Sequence, residues 1–233
     1  MSAARFAGQV TLDGPSGTGK SSVARAAATR LGAAYLDTGA MYRAATVAVL
    51  DAGVDPEDAE AVARVVAAAR IEVGTTAATE RVEVDGTDVA ERIRGAEVTR
   101  TVSAVSAVPA VRRQLVDQQR DLVAAADAVV VEGRDIGTVV LPGATVKIYL
   151  TAAPEARAQR RAAQLGLTTP EEVAALAADL RRRDEYDSSR ADSPLRPAAD
   201  AVVVDSTDLD REAVVDRVVD LALAAAGARG VDA

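Results

Sequence analysis

One stretch of the sequence, Gly14-Pro-Ser-Gly-Thr-Gly-Lys20-Ser21, constrains the fold more than any other, because it matches the pattern G-x-x-x-x-G-K-[ST]. It lies between a segment typical of a β-strand and a segment typical of a helix, the context that a phosphate-binding loop requires. Glycines let successive backbone N–H groups surround phosphate oxygens, and the helix adds its positive end. The alternative is an ordinary glycine-rich turn. We predict that nucleotide phosphates are bound by Gly14, Pro15, Ser16, Gly17, Thr18, Gly19, Lys20, Ser21 and Ser22.

Two side chains of this loop have predicted chemical roles. Lys20 is expected to reach the β- and γ-phosphates, and Ser21 is expected to offer its hydroxyl oxygen to Mg²⁺. Lys20 and Lys147 are the only lysines among 27 basic residues, so the chain uses arginine almost everywhere else. Lysine at position 20 is therefore consistent with a loop that has room only for a compact positive charge. The alternative is that lysine occurs there by chance.

The composition excludes several kinds of chemistry. The 233 residues include no histidine or cysteine, which rules out disulfides, thiolate or imidazole metal sites, and histidine acid–base catalysis. A net charge of −8, with only 4 Tyr and 1 Phe as aromatics, argues against a nucleic-acid polymer as partner. No apolar run approaches the roughly 18 residues of a membrane span, and the N-terminus lacks the apolar core of a signal peptide. We expect a cytoplasmic, monomeric protein without a membrane partner.

Five short apolar segments alternate with helical segments, which indicates a parallel α/β sheet with helices around it. We expect all five strands to be buried on both faces. The predicted strands cover residues 9–12, 34–36, 128–131, 146–150 and 201–204. The predicted helices cover residues 20–31, 154–166, 170–183 and 209–225.

Shorter alternating segments interrupt this pattern at residues 71–73, 81–84 and 87–89. The last two are joined by Asp85-Gly86, a strong hairpin signal, so we predict a small antiparallel insert over about residues 71–95. Before the insert, Asp55-Pro-Glu-Asp58 predicts a helix start with Asp55 as the cap. Residues 226–233 are predicted to be a frayed tail.

Polar residues follow the second and third predicted strands, in Leu36-Asp-Thr-Gly-Ala-Met-Tyr-Arg43 and Glu132-Gly-Arg-Asp-Ile-Gly137. In a doubly wound sheet, ligands bind outside the carboxyl ends of the strands. Arg43 and Arg134 therefore suggest a second anionic substrate beside the phosphate loop. Taken singly, each arginine is also consistent with a surface ion pair.

Four strings resemble the bacterial cytidylate kinase family and occur in order between about residues 8 and 225. They are Asp13-Gly-Pro-Ser-Gly-Thr-Gly-Lys-Ser, Leu36-Asp-Thr-Gly-Ala-Met-Tyr-Arg, Glu132-Gly-Arg-Asp-Ile-Gly-Thr-Val-Val and Ala199-Asp-Ala-Val-Val-Val-Asp-Ser-Thr. The resemblance implies a P-loop kinase, with a five-stranded parallel sheet flanked by helices and a small antiparallel β insert in its nucleoside monophosphate-binding region. It also implies one core over residues 1–225, with a lid over about residues 154–190. The implied reaction is in-line transfer of the γ-phosphoryl group of ATP to CMP or dCMP with Mg²⁺.

The resemblance also assigns roles to individual side chains. Arg43 and Arg134 would hold the acceptor phosphate, with Tyr42 and Thr38 nearby and Asp37 assisting near the metal. Cytosine would be read by Ser103, Arg112 and Asp135, whose donors and acceptors match its N3, O2 and N4 groups. Thr38 stands where the family commonly has Ser, and Glu132 stands where it commonly has Asp; both keep the functional group.

The remaining implied site residues lie in the lid. Arg183 and Asp187 would meet the ribose and Arg190 a phosphate, while Arg157 and Arg161 would contact the transferring phosphate. The resemblance thus makes Lys20, Arg134, Arg157, Arg161 and Arg190 the catalytic group. Spacing alone instead favours a solvated salt-bridge face for Arg183, Asp187 and Arg190.

Two other functions stay open at this point. One is a P-loop kinase for a different small anion or nucleotide. The other is a nucleotide-dependent switch or binding module, which would bind ATP without consuming a second substrate. The sequence lacks the Asn-Lys-x-Asp element that guanine-specific switches carry.

Overall fold

The computed structural model describes residues 6–189 and 193–229. Within these residues the chain forms two compact units. The first unit contains the chain up to Tyr35 and from Asp127 onward, and the second unit contains Leu36–Ala126.

The strands, in chain order, are β1 (Gly8–Asp13), β2 (Ala34–Asp37), β3 (Ile71–Val73), β4 (Val82–Val84), β5 (Thr87–Asp88), β6 (Ala128–Gly133), β7 (Val146–Thr151) and β8 (Val202–Asp205). The helices are α1 (Lys20–Leu31), α2 (Thr38–Asp51), α3 (Ala59–Ala68), α4 (Ala96–Ala107), α5 (Pro109–Ala124), α6 (Pro154–Leu165), α7 (Pro170–Ser189) and α8 (Arg211–Arg229). Short helical turns cover Arg92–Arg94 and Ile136–Val140.

The main sheet has the strand order β2-β6-β1-β7-β8. β1 pairs in parallel with β6 and β7, and β7 pairs in parallel with β8. The register sets Asp13 opposite Gly133 on one side and Tyr149 on the other. The carboxyl ends of the three middle strands therefore lie at one edge of the sheet, which is where the sequence predicted ligands. This arrangement confirms the predicted α/β fold class.

The centre of the sheet is apolar because β-branched and leucine residues alternate through strands covered on both faces. Val10, Leu12, Ile148 and Leu150 are fully buried. The expectation of burial on both faces is wrong for β8, where Val203 is 57% exposed. β8 is an edge strand, so fewer neighbours cover it.

The second unit contains the predicted antiparallel insert, a three-stranded sheet in the order β3-β4-β5. Asp85 and Gly86 join β4 to β5 with φ angles of 52° and 80°, the left-handed values that a tight hairpin turn requires. Helices α4 and α5, for which the sequence analysis made no prediction, complete this unit.

Several helix boundaries differ from the expected ones. Helix α7, expected over residues 170–183, runs to Ser189. Helix α3 is capped by Asp58, whose carboxylate accepts from the backbone N–H groups of Glu60 and Ala61, whereas Asp55 accepts from Glu57 in the preceding turn. Helix α8 runs through Arg229, beyond residue 226, where the predicted tail begins. No helix in the described part of the chain is both long and apolar enough to span a membrane.

Candidate active site

The phosphate loop connects β1 to α1 in the first unit, and its glycines have positive φ angles. A Cβ atom at Gly14 (φ 146°) would lie 2.0 Å from the carbonyl oxygen of Leu150. A Cβ atom at Gly17 (φ 81°) would lie 2.9 Å from the carbonyl oxygen of Arg157. Both backbone conformation and close approach therefore require glycine at these positions.

Lys20 is the first residue of α1, and its side chain turns back over the loop. Its Nζ donates to the carbonyl oxygen of Pro15 at 2.7 Å, and the buried Thr18 hydroxyl donates to the same oxygen at 3.1 Å. Burial, followed by the charge of Arg134, lowers the pKa of Lys20 to about 7. A cation held there can meet phosphate oxygens directly.

Ser21 contacts a buried carboxylate at the end of β6. Its hydroxyl donates to Glu132 Oε2 at 2.9 Å, and the Tyr35 hydroxyl donates to Glu132 Oε1. Tyr35 in turn lies under the guanidinium of Arg25, 4.7 Å from the ring centroid. Hydroxyl and carboxylate oxygens are the ligand types that suit Mg²⁺, so this pair fits the cation predicted at Ser21.

Asp13 ties the end of β1 to the segment after β6. Its carboxylate accepts from the backbone N–H of Ile136 at 2.8 Å and from that of Gly137 at 2.7 Å. Burial raises the pKa of Asp13 to about 6, although these two hydrogen bonds oppose the shift. The turn is closed further by the carbonyl oxygen of Asp135, which accepts from Val139 at 2.8 Å. Asp135 itself is buried, 5% exposed.

Arg134 lies against the phosphate loop. Its Nη2 donates to Ser16 Oγ at 2.6 Å and lies 3.1 Å from Asp187 Oδ2. Its Nη1 lies 3.3 Å from Asp184 Oδ1. The guanidinium thus joins the loop to two carboxylates of α7 within the first unit.

Arg157 of α6 reaches the same place. It donates to the carbonyl oxygen of Ser16 at 3.1 Å and forms an ion pair with Asp184. Its side chain is only 8% exposed. Arg161, predicted to act alongside it, donates to Gln164 on its own helix at 3.1 Å. The structure therefore brings Arg157 to the loop, whereas the hydrogen bond from Arg161 to Gln164 lies within α6.

Of the residues that the resemblance places on α7, Arg183 and Asp187 lie within the described residues. Asp187 is 3% exposed, so the alternative of a solvated salt-bridge face is wrong for this residue. Arg183 is half-buried on the same helix. Arg190 lies outside the described residues.

In the second unit, Asp37 is the N-cap of α2, and its carboxylate accepts from the backbone N–H of Ala40 at 2.9 Å. Burial raises the pKa of Asp37, against the opposing effects of this hydrogen bond and of Arg94 and Arg43. Thr38, the next residue, is buried.

One turn further along α2, Arg43 donates to the carbonyl oxygen of Ile93 at 3.0 Å and to the hydroxyl of Thr99 at 3.1 Å. These contacts hold the Arg43 guanidinium in a defined position within the second unit.

The two base-reading residues predicted in this unit are linked through Ser106. The buried guanidinium of Arg112 donates to the Ser106 carbonyl at 3.3 Å, and the Ser106 hydroxyl donates to the Ser103 carbonyl at 3.1 Å. The same guanidinium lies 5.4 Å from the ring centroid of Tyr42. The structure thus brings three predicted substrate residues of the second unit, Tyr42, Ser103 and Arg112, into one cluster.

Comparison with known proteins decides the family. The cytidylate kinase profile matches residues 10–224. The chain belongs to the cytidylate kinase family. A cytidylate kinase of Nocardia farcinica is 59% identical over 208 residues, covering 89% of this chain and 90% of that protein. A cytidylate kinase of Corynebacterium glutamicum is 52% identical over 218 residues, covering 93% and 95%. The resemblance found in the sequence is therefore confirmed.

The fold is also similar to that of a solved gluconokinase from Sinorhizobium meliloti 1021, with a TM-score of 0.54 and 16% sequence identity. The alignment covers 98% of this chain and 99% of that one. At this identity the likeness shows a shared fold and nothing about the reaction.

Sequence reasoning missed Asp184 in this cytidylate kinase family member, although that carboxylate contacts both Arg134 and Arg157. It also did not single out Asp13 and Tyr35 as parts of the site. A signal for Asp184 existed, because it precedes Asp187 by three residues and so shares its helix face.

Proposed function

We propose that this chain is a (d)CMP kinase that transfers the γ-phosphoryl group of ATP to CMP and dCMP by in-line displacement. The observation that carries the proposal is the phosphate loop with Lys20, Arg134 and Arg157 gathered on it. Such transfers depend on positioning and on neutralising charge, and they need no histidine or cysteine. Relatives at 50–59% identity that are named cytidylate kinase support the choice of acceptor.

ATP is the proposed phosphoryl donor, bound by the loop from Gly14 to Ser22. The loop contributes backbone N–H groups and the start of α1, while Lys20 contributes a full positive charge. Lys20 is expected to exchange its hydrogen bond with the Pro15 carbonyl for one with the β- and γ-phosphates.

Mg²⁺ is the proposed metal, held by Ser21 and Glu132, and it would neutralise charge on the ATP phosphates. Glu132 keeps the Ser21 hydroxyl in place and is itself held by the Tyr35 hydroxyl. Glutamate in place of the more common aspartate therefore retains a carboxylate at this position.

The acceptor phosphate is proposed to contact Arg43 and Arg134, with Thr38, Tyr42 and Asp37 in support. Guanidinium forks suit phosphate because they give two parallel charge-assisted hydrogen bonds. Arg134 is supported in this role by its 2.6 Å contact with Ser16 of the phosphate loop.

Cytosine is proposed to be read by Asp135, Arg112 and Ser103. A carboxylate accepts from the N4 amine, whereas arginine and hydroxyl groups donate to N3 and O2. Arg183 and Asp187 are proposed for the ribose, and Arg157, Arg161 and Arg190 for phosphates. The lid over residues 154–190 is proposed to exclude water, because water that enters an open site would hydrolyse ATP.

A coupled assay of ADP formation over a panel of acceptors tests this function. We expect ADP to form with CMP and dCMP, and at most weakly with UMP, AMP or shikimate. Lys20→Ala, which removes the phosphate-binding cation, serves as the inactive control. ADP formation with a different acceptor alone would assign the chain to another P-loop kinase reaction. Binding of ATP without ADP formation on any acceptor would indicate a nucleotide switch.

A single core over residues 1–225, a monomeric state and a cytoplasmic location remain predictions. Sedimentation velocity tests the monomer, and cell fractionation tests the location.

A further inference from the structure

Asp184 occupies a place on the phosphate loop that suits an anion. Its carboxylate lies 3.4 Å from the backbone nitrogen of Ser16 and 3.3 Å from Arg134 Nη1, and it forms an ion pair with Arg157. The Asp184 side chain is 16% exposed, so water screens these contacts only in part.

These three donors are of the types that bind phosphate. A backbone N–H of a glycine-rich loop and the guanidiniums of two arginines are the groups that phosphoryl oxygens accept from. The carboxylate of Asp184 presents the same kind of acceptor, a negatively charged oxygen, from within the chain itself.

Asp184 and a bound triphosphate cannot use these donors equally well at once. The Ser16 N–H is a single donor, so an oxygen of Asp184 that accepts from it excludes a phosphate oxygen from it. A carboxylate within a few ångströms of several phosphate charges also repels them, and partial burial strengthens this repulsion.

Resting on the proposed function, we propose that Asp184 is an internal anion that competes with the phosphates of ATP for Arg157 and the Ser16 N–H. Without nucleotide, the carboxylate neutralises the two arginines and holds α7 against the phosphate loop. When ATP binds, its phosphates take over Arg157 and the Ser16 N–H, and Asp184 withdraws. Asp184 therefore lowers the affinity for ATP, in contrast to the residues that bind it.

The competition is tested by removing the charge and measuring the affinity for a β,γ-imido analogue of ATP by isothermal titration calorimetry. Asp184→Asn should bind the analogue about tenfold more tightly than the wild type, because one like charge is removed at close range. Asp184→Glu keeps the charge and should show no such gain. The matched control is Asp179→Asn on the same helix, where Asp179 is exposed and pairs with Arg182.

A damaged site would bind the analogue more weakly, so tighter binding is a result that a purely structural role does not give. Equal or weaker binding by Asp184→Asn overturns the proposal, as does an equal gain in Asp184→Glu or Asp179→Asn. If the Asn variant does not fold, Asp184→Ala removes the same charge, and the same tighter binding is expected. A wild type that binds the analogue but forms no ADP with CMP overturns the proposed function alone.

Discussion

The environment of Lys20 lowers the pKa of its ammonium group. The folded chain desolvates the ammonium and sets the Arg134 charge nearby, and together these outweigh the carboxylates of Glu132, Asp13 and Asp184. The lysine pKa of about 7 therefore falls within the range where the enzyme can be assayed. A bound triphosphate has the opposite effect, because negative charge favours the protonated amine.

We therefore predict that kcat/KM for ATP declines as pH rises through about 7. This ratio reports the ionisation of the enzyme without nucleotide, where deprotonation removes the phosphate-binding cation. At saturating ATP, kcat should change less, since the phosphates hold the proton on Lys20. The measurement is a pH series from 6 to 9. Lys20→Arg keeps its charge throughout, so any remaining activity should lack the decline. A flat wild-type profile would contradict the role of Lys20 ionisation.

A second prediction at this scale concerns Arg134. Arg134→Ala should raise KM for CMP more than KM for ATP, because the acceptor phosphate is its proposed partner. Losing a charge-assisted contact of this kind costs about 1.5–3 kcal/mol. Steady-state kinetics with each substrate varied in turn measure both constants. Arg64→Ala, at an exposed position on α3, is the control. A rise confined to KM for ATP would assign Arg134 to the donor instead.

Among the elements, the β4–β5 hairpin depends on backbone conformation more than on side-chain contacts. Gly86 has a φ of 80°, and a Cβ atom there would meet no atom within 4 Å of it in the part of the chain described. A substitution therefore changes backbone strain without a clash, which isolates one contribution to the stability of the second unit.

Gly86→Ala should lower the free energy of unfolding by about 1–2 kcal/mol, the cost of a left-handed conformation for an L-residue. Urea unfolding of the wild type and variant measures the difference. Gly143→Ala is the matched control, because Gly143 has equally open surroundings among the described residues and no positive φ angle. If both alanine variants lose the same stability, the φ angle of Gly86 is not the cause.

Elements set by local chemistry were predictable from the sequence, whereas those set by distant contacts were not. The phosphate loop and the Asp85-Gly86 turn were predictable because a backbone with positive φ angles, or one that packs closely against other atoms, requires glycine or a residue such as aspartate that tolerates a positive φ. The exposure of β8 could not be predicted, since it depends on the strand order, which determines the edge strands of the sheet. The contact between Asp184 and Ser16 could not be predicted, because the two residues lie 168 positions apart in the sequence. Helix α5 did carry a signal, proline in its first turn.

At the scale of the whole molecule, the predicted substrate residues are divided between the two units. The phosphate loop, Arg134 and Asp135 belong to the first unit, and Arg43 and Arg112 to the second. Selectivity for cytosine is therefore predicted to depend on side chains of both units. Kinetics can test this dependence, because residues that act on one ligand have coupled effects.

The last prediction is that Asp135 and Ser103 read the same base. Asp135→Asn supplies a donor where a carboxylate accepted from the N4 amine, so it should reduce kcat/KM for CMP by an amount equivalent to about 1–3 kcal/mol. UMP presents an acceptor at that position and should lose less or gain. Combined with Ser103→Ala, the two changes should depart from additivity in the CMP-to-UMP ratio by about 0.5 kcal/mol or more. Strict additivity would mean that the two residues act independently, and an unchanged ratio in Asp135→Asn would leave base selectivity to Arg112 and Ser103.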